Sequence, residues 1–212
     1  MADISIVVPF RDRHEHLRIF LQHMQQFAPQ EVEYIVVEQS AGLKFNRGLL
    51  LNVGFNVSHR ERVIFHDVDL VPDSQLLQQY TQAWPRPVMH FGCRFGRYNN
   101  TKTYFGGVVG FCRHAFPGFS NRYFGWGGED DSLRRRCRHA VGRPTTGAYT
   151  DLEFLPHVHQ KLDRLDHCTK CTDKWEVRDS ECYADDNHHT TNVNFIEVKY
   201  DTYACRWVHV QL

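Results

Sequence analysis

The sequence predicts an α/β fold in which a mostly parallel central sheet is followed by an irregular C-terminal part. Short apolar runs alternate with helical patterns over the first part of the chain, which is typical of a parallel sheet covered by helices. Beyond about residue 150 this alternation gives way to polar loops and a closing pair of strands. The 212 residues are 42% hydrophobic and 13% aromatic, enough to bury a full core, so we expect a single domain over 1–212.

The first three strands and two helices follow one another in order. Apolar runs at 4–9, 32–37 and 62–66 have the length and composition of buried strands. One helical face lies between the first two strands, is ended by Pro29 and consists of Leu17, Phe20, Leu21, Met24 and Phe27. Asn46 is placed to cap a second helix, whose apolar residues are Leu49, Leu50, Val53 and Val57. This βαβαβ order predicts a ligand crevice at the C-terminal ends of the strands.

The rest of the chain is less regular. A strand through Met89 follows Pro85 and Pro87. The segment 104–111 has the pattern of another strand, in which glycines permit the close approach of a ligand. Two further strands are predicted near 193–200 and 203–210. No repeat and no long low-complexity linker interrupts the chain.

Residues 125–131, Gly-Trp-Gly-Gly-Glu-Asp-Asp, combine an aromatic ring, a flexible backbone and three consecutive carboxylates. Adjacent like charges are costly to desolvate without cationic partners, which Arg134, Arg135 and Arg136 could provide. The residues alone leave two interpretations open. One is an acidic helix N-terminus stabilised by the helix dipole and followed by a basic stripe. The other is a functional carboxylate cluster.

A second acidic pair, Asp67 and Asp69, directly follows the apolar strand at 62–66. Alternation along a continued strand would send both carboxylates to one side and Val68 to the interior. Two carboxylates on one side offer hard oxygen ligands for a divalent cation such as Mn²⁺ or Mg²⁺, of the kind that bridges a diphosphate. Open α/β sheets bind ligands at this end of their strands, so the sequence predicts a cation site here.

Charge and hydropathy narrow the class of protein. Lysine plus arginine and aspartate plus glutamate both number 25, so no net field favours nucleic acid or a membrane surface. No apolar run approaches the roughly 18 residues needed to cross a bilayer, and the N-terminus has no signal-peptide pattern. We therefore expect a soluble chain with no membrane span and no nucleic-acid partner. The sequence does not indicate an oligomeric state.

The cysteines bear on two questions, disulfide pairing and zinc binding. Their number, seven, is odd and argues against a fully paired disulfide framework. Cys168 and Cys171 form a Cys-x-x-Cys pair, and Cys182 and His188 follow within about twenty residues, which suits a structural Zn²⁺. Free thiols or a disulfide remain the alternatives, because the second half of this spacing is irregular.

Four segments carry a resemblance to a known family: PFRDR at 9–13, FNR at 45–47, HDVD at 66–69, and YFGG at 104–107 leading to FSNRYFGWGGEDD at 119–131. In order and spacing they resemble the beta-1,4-galactosyltransferases, and most closely the members that transfer galactose to xylose on proteoglycan linkers. The resemblance implies a GT-A glycosyltransferase fold, which is Rossmann-like, together with dependence on Mn²⁺, a UDP-sugar donor and inversion at the anomeric carbon.

The resemblance also implies roles for individual residues. Arg11 and Arg13 would contact the diphosphate, for which a guanidinium supplies charge and forked donors together. Arg94 stands where the family often carries a phosphate-side lysine. The full donor set implied is Phe10, Arg11, Arg13, Phe45, Arg47, Asp67, Val68, Arg94, Tyr104, Gly106, Gly107, Trp126 and Glu129. The acceptor set implied is Trp126, Gly128, Asp130 and Asp131.

For the metal, the resemblance makes Asp69 a direct ligand of Mn²⁺, with His157 and His159 closing the coordination sphere. A His-x-His pair places both imidazoles on one side of an extended segment, so both can hold one ion. In the family this segment orders over the donor once metal and nucleotide bind, which would exclude water. Asp130 matches the general base that accepts the proton of the attacking acceptor hydroxyl.

The expected function is an inverting, Mn²⁺-dependent transfer of galactose from UDP-galactose to a hydroxyl of a xylose-type or N-acetylglucosamine-type acceptor, giving a β-1,4 linkage. Tyr104 stands where galactose-specific members carry a tyrosine that crowds out an N-acetyl group on the donor. One alternative is UDP-N-acetylgalactosamine or another UDP-sugar as donor. Another is a metal-dependent hydrolase of nucleotide-diphosphate sugars, with water as the nucleophile.

The resemblance divides the single catalytic domain into two halves. About 1–100 would bind the nucleotide-sugar, and about 101–212 would bind the acceptor and carry the metal-binding loop and the Cys/His-rich segment. Animal members are usually anchored by a transmembrane segment and a stem, and this sequence shows neither. We expect the Golgi lumen for a truncated member and the cytoplasm for a microbial or viral one.

Overall fold

Three strands near the start of the chain form the centre of the sheet. The computed structural model describes residues 3–27, 32–96, 104–125, 127–154, 194–198 and 205–211. Strands β1 (Ile4–Phe10), β2 (Glu33–Gln39) and β3 (Arg62–His66) pair in parallel, with β1 in the middle. Every residue of β1 is buried, as expected for a parallel strand covered on both faces.

Two helices make the crossovers between these strands. Helix α1 (His14–Phe27) buries the predicted stripe from Leu17 to Met24, whereas Phe27, predicted on the same face, is 54% exposed at the helix end. Helix α2 (Arg47–Val57) begins after Asn46, whose side chain accepts a hydrogen bond of 3.0 Å from the backbone N–H of Leu49. The predicted cap is therefore confirmed, and it fixes where α2 starts.

The sheet is completed from the second half of the chain. The added strands are β5 (Val88–His90), β6 (Val108–Cys112), β7 (Val141–Gly142), β9 (Asn194–Val198) and β10 (Arg206–Gln211). Among the described residues the sheet then has eight strands in the order β7-β5-β6-β3-β1-β2-β10-β9. Strand β6 runs antiparallel to β3 and β5, and β9 runs antiparallel to β10, while the other pairs are parallel. The predicted α/β fold with a mostly parallel sheet is confirmed.

The predicted strand at 104–111 is wrong at its start. Strand β6 begins only at Val108 because Gly107 adopts a positive φ of 67° and the N–H of Val108 donates to the carbonyl of Gly106 at 2.8 Å. The glycines thus make a tight turn beside the sheet edge instead of continuing the ladder.

Besides the short strand β7, one helix and two strands were not predicted. Helix α3 (Ser74–Thr81) is capped by Asp73, whose carboxylate accepts from the N–H of Leu76 at 2.9 Å. Strands β4 (Leu70–Pro72) and β8 (Tyr149–Asp151) pair antiparallel in a separate two-stranded sheet. This small sheet brings the segment after Asp69 next to residues 149–151.

The core has two layers, one on each face of the sheet. Alternate residues of β1 pack on opposite faces, with Ile6 and Val8 against α1 and Val7 against α2. Helix α4 (Glu129–Arg136) joins the second layer through Leu133, which is fully buried. Within the described ranges, no helix has both the length and the apolar character that a membrane span requires.

Candidate active site

Arg47, the first residue of α2, lies among three carboxylates. Its Nε donates to Asp67 Oδ1 at 2.8 Å and its Nη1 donates to Asp130 Oδ1 at 2.9 Å. Glu129 Oε1 is 3.6 Å from the same Nη1. Burial by itself lowers the pKa of Arg47, but Asp130, Asp67 and Glu129 outweigh it and hold the pKa well above its ordinary value. The acidic helix and the acidic corner after β3 therefore face each other across one guanidinium.

Side-chain amides fix the segment that leads into α4. The Nδ2 group of Asn52 donates to the carbonyl of Phe119 at 2.9 Å and to Asn121 Oδ1 at 2.8 Å, and Asn52 Oδ1 accepts from the N–H of Phe119 at 2.9 Å. Asn46 Nδ2 donates to the carbonyl of Asn121 at 2.7 Å. Sequence reasoning missed the role of Asn52, although a polar residue on the apolar side of a helix is a signal for a buried hydrogen-bonding partner.

Asp130 is packed tightly against the glycine turn. A β-carbon built on Gly106 would lie 2.2 Å from Asp130 Oδ2, so only a glycine leaves room for this carboxylate. Burial raises the pKa of Asp130 to about 8, against the opposing effect of Arg47 and with the support of Glu129 and Asp67. Its side chain is still 24% exposed, so solvent and substrate can reach it. Such a carboxyl can accept a proton near neutral pH.

The other acidic-helix residues surround Asp130. Gly128, with a φ of 100°, precedes the helix, and the buried Glu129 has its pKa raised by burial. Asp131 is exposed. The basic residues Arg134, Arg135 and Arg136 occupy the last turn of α4, so the helix does have the charge order expected from its dipole. The structural and the functional interpretations of this segment are therefore compatible.

The prediction that Asp67 and Asp69 continue the alternation of β3 is wrong. Strand β3 ends at His66, and 67–69 form a turn in which the N–H of Leu70 donates to the carbonyl of Asp67 at 3.4 Å. Val68 is buried, as predicted. Because the chain turns, Asp67 points to Arg47 whereas Asp69 Oδ2 lies 3.2 Å from Arg13 Nη1. The two carboxylates thus have different cationic partners.

The two arginines in the loop after β1, Arg11 and Arg13, have different contacts. Asp12, between them, has a positive φ of 55°, a conformation that aspartate tolerates better than most residues. Arg11 donates to the carbonyl of Leu43 at 2.8 Å and lies over the ring of Phe45. Arg13 contacts Asp69 and also Glu153, whose Oε1 is 2.6 Å from Nη1. Burial lowers the pKa of Arg13, but Asp69, Glu153 and Asp67 raise it above its ordinary value.

The remaining predicted donor residues lie at different depths. A β-carbon on Gly107 would lie 2.7 Å from the Tyr104 hydroxyl and 3.9 Å from Asp67 Oδ2, which places Tyr104 beside the acidic corner. Phe10 is almost fully buried, with its ring against His14 and Trp207. Arg94 donates from Nε to the carbonyl of Gly147 at 2.8 Å.

The acidic corner after β3 carries two carboxylates among the described residues. Asp69 and Asp67 offer the oxygen ligands that suit Mn²⁺. The guanidinium of Arg13 lies beside Asp69. In the described ranges no group of three or more histidine, cysteine or acidic side chains is arranged to hold a metal ion. Trp126 and the predicted metal ligands His157 and His159 lie outside those ranges. The predicted zinc residues Cys168, Cys171, Cys182 and His188 lie outside them as well.

Two protein families match most of the chain. Residues 1–81 match the family described as the N-terminal region of glycosyl transferase group 7, and 86–167 match the N-terminal domain of galactosyltransferase. Beta-1,4-galactosyltransferase 6 of Rattus norvegicus is 38% identical over 175 residues, which are 74% of this chain and 44% of the relative. The chain thus spans a little under half the length of that relative.

Solved structures add a second comparison. The catalytic domain of Drosophila beta1,4galactosyltransferase 7 in complex with xylobiose superimposes with a TM-score of 0.77 at 27% identity, covering 99% of this chain and 93% of that one. A mutant of the same Drosophila protein, in complex with manganese, UDP-Gal and xylobiose, gives a TM-score of 0.74 at 26% identity, with the same coverage.

Sheet order, the acidic corner after β3 and the acidic helix that faces it define a glycosyltransferase fold of the GT-A class. Within that class, the two family matches and the identity to known members place the chain in the beta-1,4-galactosyltransferase family. The resemblance drawn from the four sequence segments is confirmed.

Proposed function

We propose that residues 1–212 form one catalytic domain that transfers galactose from UDP-galactose to a sugar hydroxyl with inversion, in a Mn²⁺-dependent reaction. The observation that carries this proposal is the position of Arg47, within 2.9 Å of both Asp67 and Asp130. A donor-side carboxylate and a candidate base thus face the same space. The Drosophila relative that was solved with manganese, UDP-Gal and xylobiose supports the same substrates here.

The donor would lie along the C-terminal ends of β1 and β3. Arg11 and Arg13 follow β1, and Asp67 and Asp69 follow β3, so positive and negative groups share one edge of the sheet. The arginines suit the diphosphate, and Asp69 with the predicted His157 and His159 would hold the metal. When bound, Mn²⁺ supplies charge compensation for the departing diphosphate.

Asp130 would act as the general base. In a single in-line displacement the acceptor oxygen bonds to the anomeric carbon as the bond from that carbon to the UDP oxygen breaks. The proton of the acceptor hydroxyl passes to the Asp130 carboxylate. Its raised pKa makes the carboxylate a stronger base than an ordinary aspartate, and Arg47 keeps it oriented. This assignment gives both halves of the chain a part in one reaction.

Two separate observations bear on the donor and on the acceptor. Tyr104, placed beside Gly107 and near Asp67, is positioned to limit the space around the donor sugar and so to favour UDP-galactose over UDP-N-acetylgalactosamine. The Drosophila protein was solved with xylobiose, so xylosides come first in the test and N-acetylglucosaminides second.

Release of UDP from UDP-galactose, measured with Mn²⁺ and a panel of β-xylosides, β-glucosides and β-N-acetylglucosaminides, tests the proposal. A transferase should release UDP much faster with one acceptor class than with none, and product analysis should show a β-1,4 linkage. Release that is indifferent to every acceptor would support the hydrolase. No release, with UDP still bound, would support a sugar-binding module that kept the fold.

A further inference from the structure

Glu153 is a buried acid at the edge of the proposed cation site. Its side chain is only 3% exposed, and its Oε1 lies 2.6 Å from Nη1 of Arg13. The same Nη1 lies 3.2 Å from Oδ2 of Asp69. One guanidinium nitrogen therefore joins a buried glutamate to the carboxylate that is proposed to bind the metal.

The backbone fixes this arrangement. The N–H of Leu152 donates to the carbonyl of Asp69 at 2.9 Å, and the pairing of β4 with β8 holds the flanking residues together. The N–H of Glu153 donates to Asp151 Oδ1 at 3.1 Å. Glu153 is thus held beside Asp69 by main-chain contacts that do not depend on its own carboxylate.

A guanidinium beside Asp69 competes with a divalent cation for that carboxylate, because two positive charges close to the same oxygens repel each other. Glu153 attracts the same guanidinium from the other side. A buried carboxylate needs a cationic partner, so its hold on Arg13 is strong. The more of the Arg13 charge that Glu153 compensates, the less Arg13 opposes a metal ion at Asp69.

We propose that Glu153 is a positioning residue of the cation site, which holds Arg13 and so raises the affinity of Asp69 for a divalent cation. This inference rests on the proposed function, because it takes Asp69 to be a metal ligand. It assigns no contact between Glu153 and the metal. Among the described residues, Asp69 and Glu153 both form ion pairs with Arg13, and Glu153 is the partner that Arg13 keeps when Asp69 binds the cation.

The test measures the binding of Mn²⁺ alone, without nucleotide, from the electron paramagnetic resonance signal of the free ion. Glu153→Gln keeps the size of the side chain and removes its charge, so Arg13 should pair more strongly with Asp69. Affinity for Mn²⁺ should fall by roughly three- to tenfold. Glu61→Gln, at the opposite end of β3 and exposed, is the control and should leave the affinity unchanged.

Arg13→Gln should have the opposite effect and strengthen Mn²⁺ binding, since the competing cation is gone. A merely structural role for this ion pair would weaken binding in both variants. In the Arg13→Gln background, adding Glu153→Gln should change the affinity much less than it does in the wild type, because the glutamate acts through the arginine. If Glu153→Gln does not fold, weaker Mn²⁺ binding by Arg13→Gln still overturns the inference.

Equal Mn²⁺ affinity in wild type and Glu153→Gln would overturn the inference, and so would weaker binding by Arg13→Gln. An equal loss from Glu153→Gln in both backgrounds would also overturn it. These results leave the proposed function intact if the wild type still transfers galactose with Mn²⁺. A wild type that binds no Mn²⁺ and transfers nothing would instead remove the proposed function, and this inference with it.

Discussion

Arg47 and Asp130 are 83 positions apart in the chain and are joined by a hydrogen bond of 2.9 Å. The bond links the first turn of α2 to the first turn of α4, the two helices whose N-termini border the candidate active site. Because Arg47 also holds Asp67, a change at any of these three residues affects the other two. The first predictions follow from this arrangement.

Asp130→Asn should lower acceptor-stimulated release of UDP by roughly 10²- to 10⁴-fold, because an amide cannot accept the proton of the acceptor hydroxyl. UDP binding, measured by calorimetry with Mn²⁺, should stay close to that of the wild type. The exposed Glu61→Gln serves as the charge-matched control. Undiminished release by Asp130→Asn would mean that another group is the base.

Arg47→Met should destabilise the fold by about 3 kcal/mol, because it leaves Asp67, Glu129 and Asp130 without their shared cation in a partly buried site. Urea unfolding followed by circular dichroism measures the difference. Arg18→Met is the control, since Arg18 is 45% exposed and pairs with Glu15 on the surface of α1. That variant should lose no more than about 1 kcal/mol. Equal losses of stability would show that the Arg47 contacts stabilise the fold no more than the surface ion pair of Arg18 does.

The pH dependence of the reaction should show the raised pKa of Asp130. A base works only when deprotonated, and burial raises the pKa of Asp130 to about 8. The fraction of active enzyme therefore rises with pH, and kcat/KM should fall about tenfold per pH unit below that pKa. The midpoint of this acidic limb should lie well above the ordinary carboxyl range, toward pH 8. A midpoint near pH 4 would contradict the prediction.

Gly106→Ala should lower kcat by about 100-fold while the protein still folds. The added methyl group would sit 2.2 Å from Asp130 Oδ2, so the carboxylate must move, and a displacement of this size is enough to spoil a reacting geometry. Gly96→Ala provides the control, because nothing lies within 4 Å of a β-carbon there. Steady-state kinetics and thermal unfolding of both variants separate the catalytic effect from a loss of stability.

Acid should destabilise the fold through His66, which is fully buried and hydrogen-bonded to the Tyr80 hydroxyl. Burial lowers the pKa of His66 to about 4, whereas an unfolded histidine titrates near 6.5. Between these pH values only the unfolded chain binds the proton. The free energy of unfolding is therefore highest above pH 6.5 and should fall as the pH drops toward 4, by up to about 3 kcal/mol from this residue.

Urea unfolding at pH 7 and pH 5 measures that loss. The free energy of unfolding of His66→Asn should fall less between the two pH values than that of the wild type. Some fall should remain, because His90 is also buried and burial lowers its pKa to about 3. The exposed His59→Gln should behave like the wild type. Parallel behaviour of His66→Asn and His59→Gln would exclude His66 as the source.

The order of strands and helices could be predicted from the sequence because it depends on local patterns. Buried strands such as β1 and the cap at Asn46 leave their mark within a few residues. The turn at Asp67–Asp69 could not be predicted by alternation alone, because these two carboxylates pair with arginines that are distant in the sequence. Asp69 meets Arg13, 56 positions earlier, and Asp67 meets Arg47.

The candidate site was predictable to the extent that it resembles known motifs. Five residues of those motifs lie close together in the structure: Arg13, Arg47, Asp67, Asp69 and Asp130. They do not include Glu153 or Asn52, whose parts depend on contacts with distant segments. The small sheet of β4 and β8, which brings Glu153 near Arg13, consists of strands too short to leave a sequence pattern. The metal-binding role of His157 and His159 stays a prediction.

Strand β10 lies between β2 and β9, so residues 206–211 pair with the edge of β2 that faces away from β1. Until that part of the chain is made, one side of β2 has unpaired main-chain groups, and its apolar residues Ile35, Val36 and Val37 lie along this open strand. During synthesis this edge therefore stays open until residues 206–211 emerge, and until then it could pair with another chain. Loss of even these few residues should make the remainder prone to aggregation.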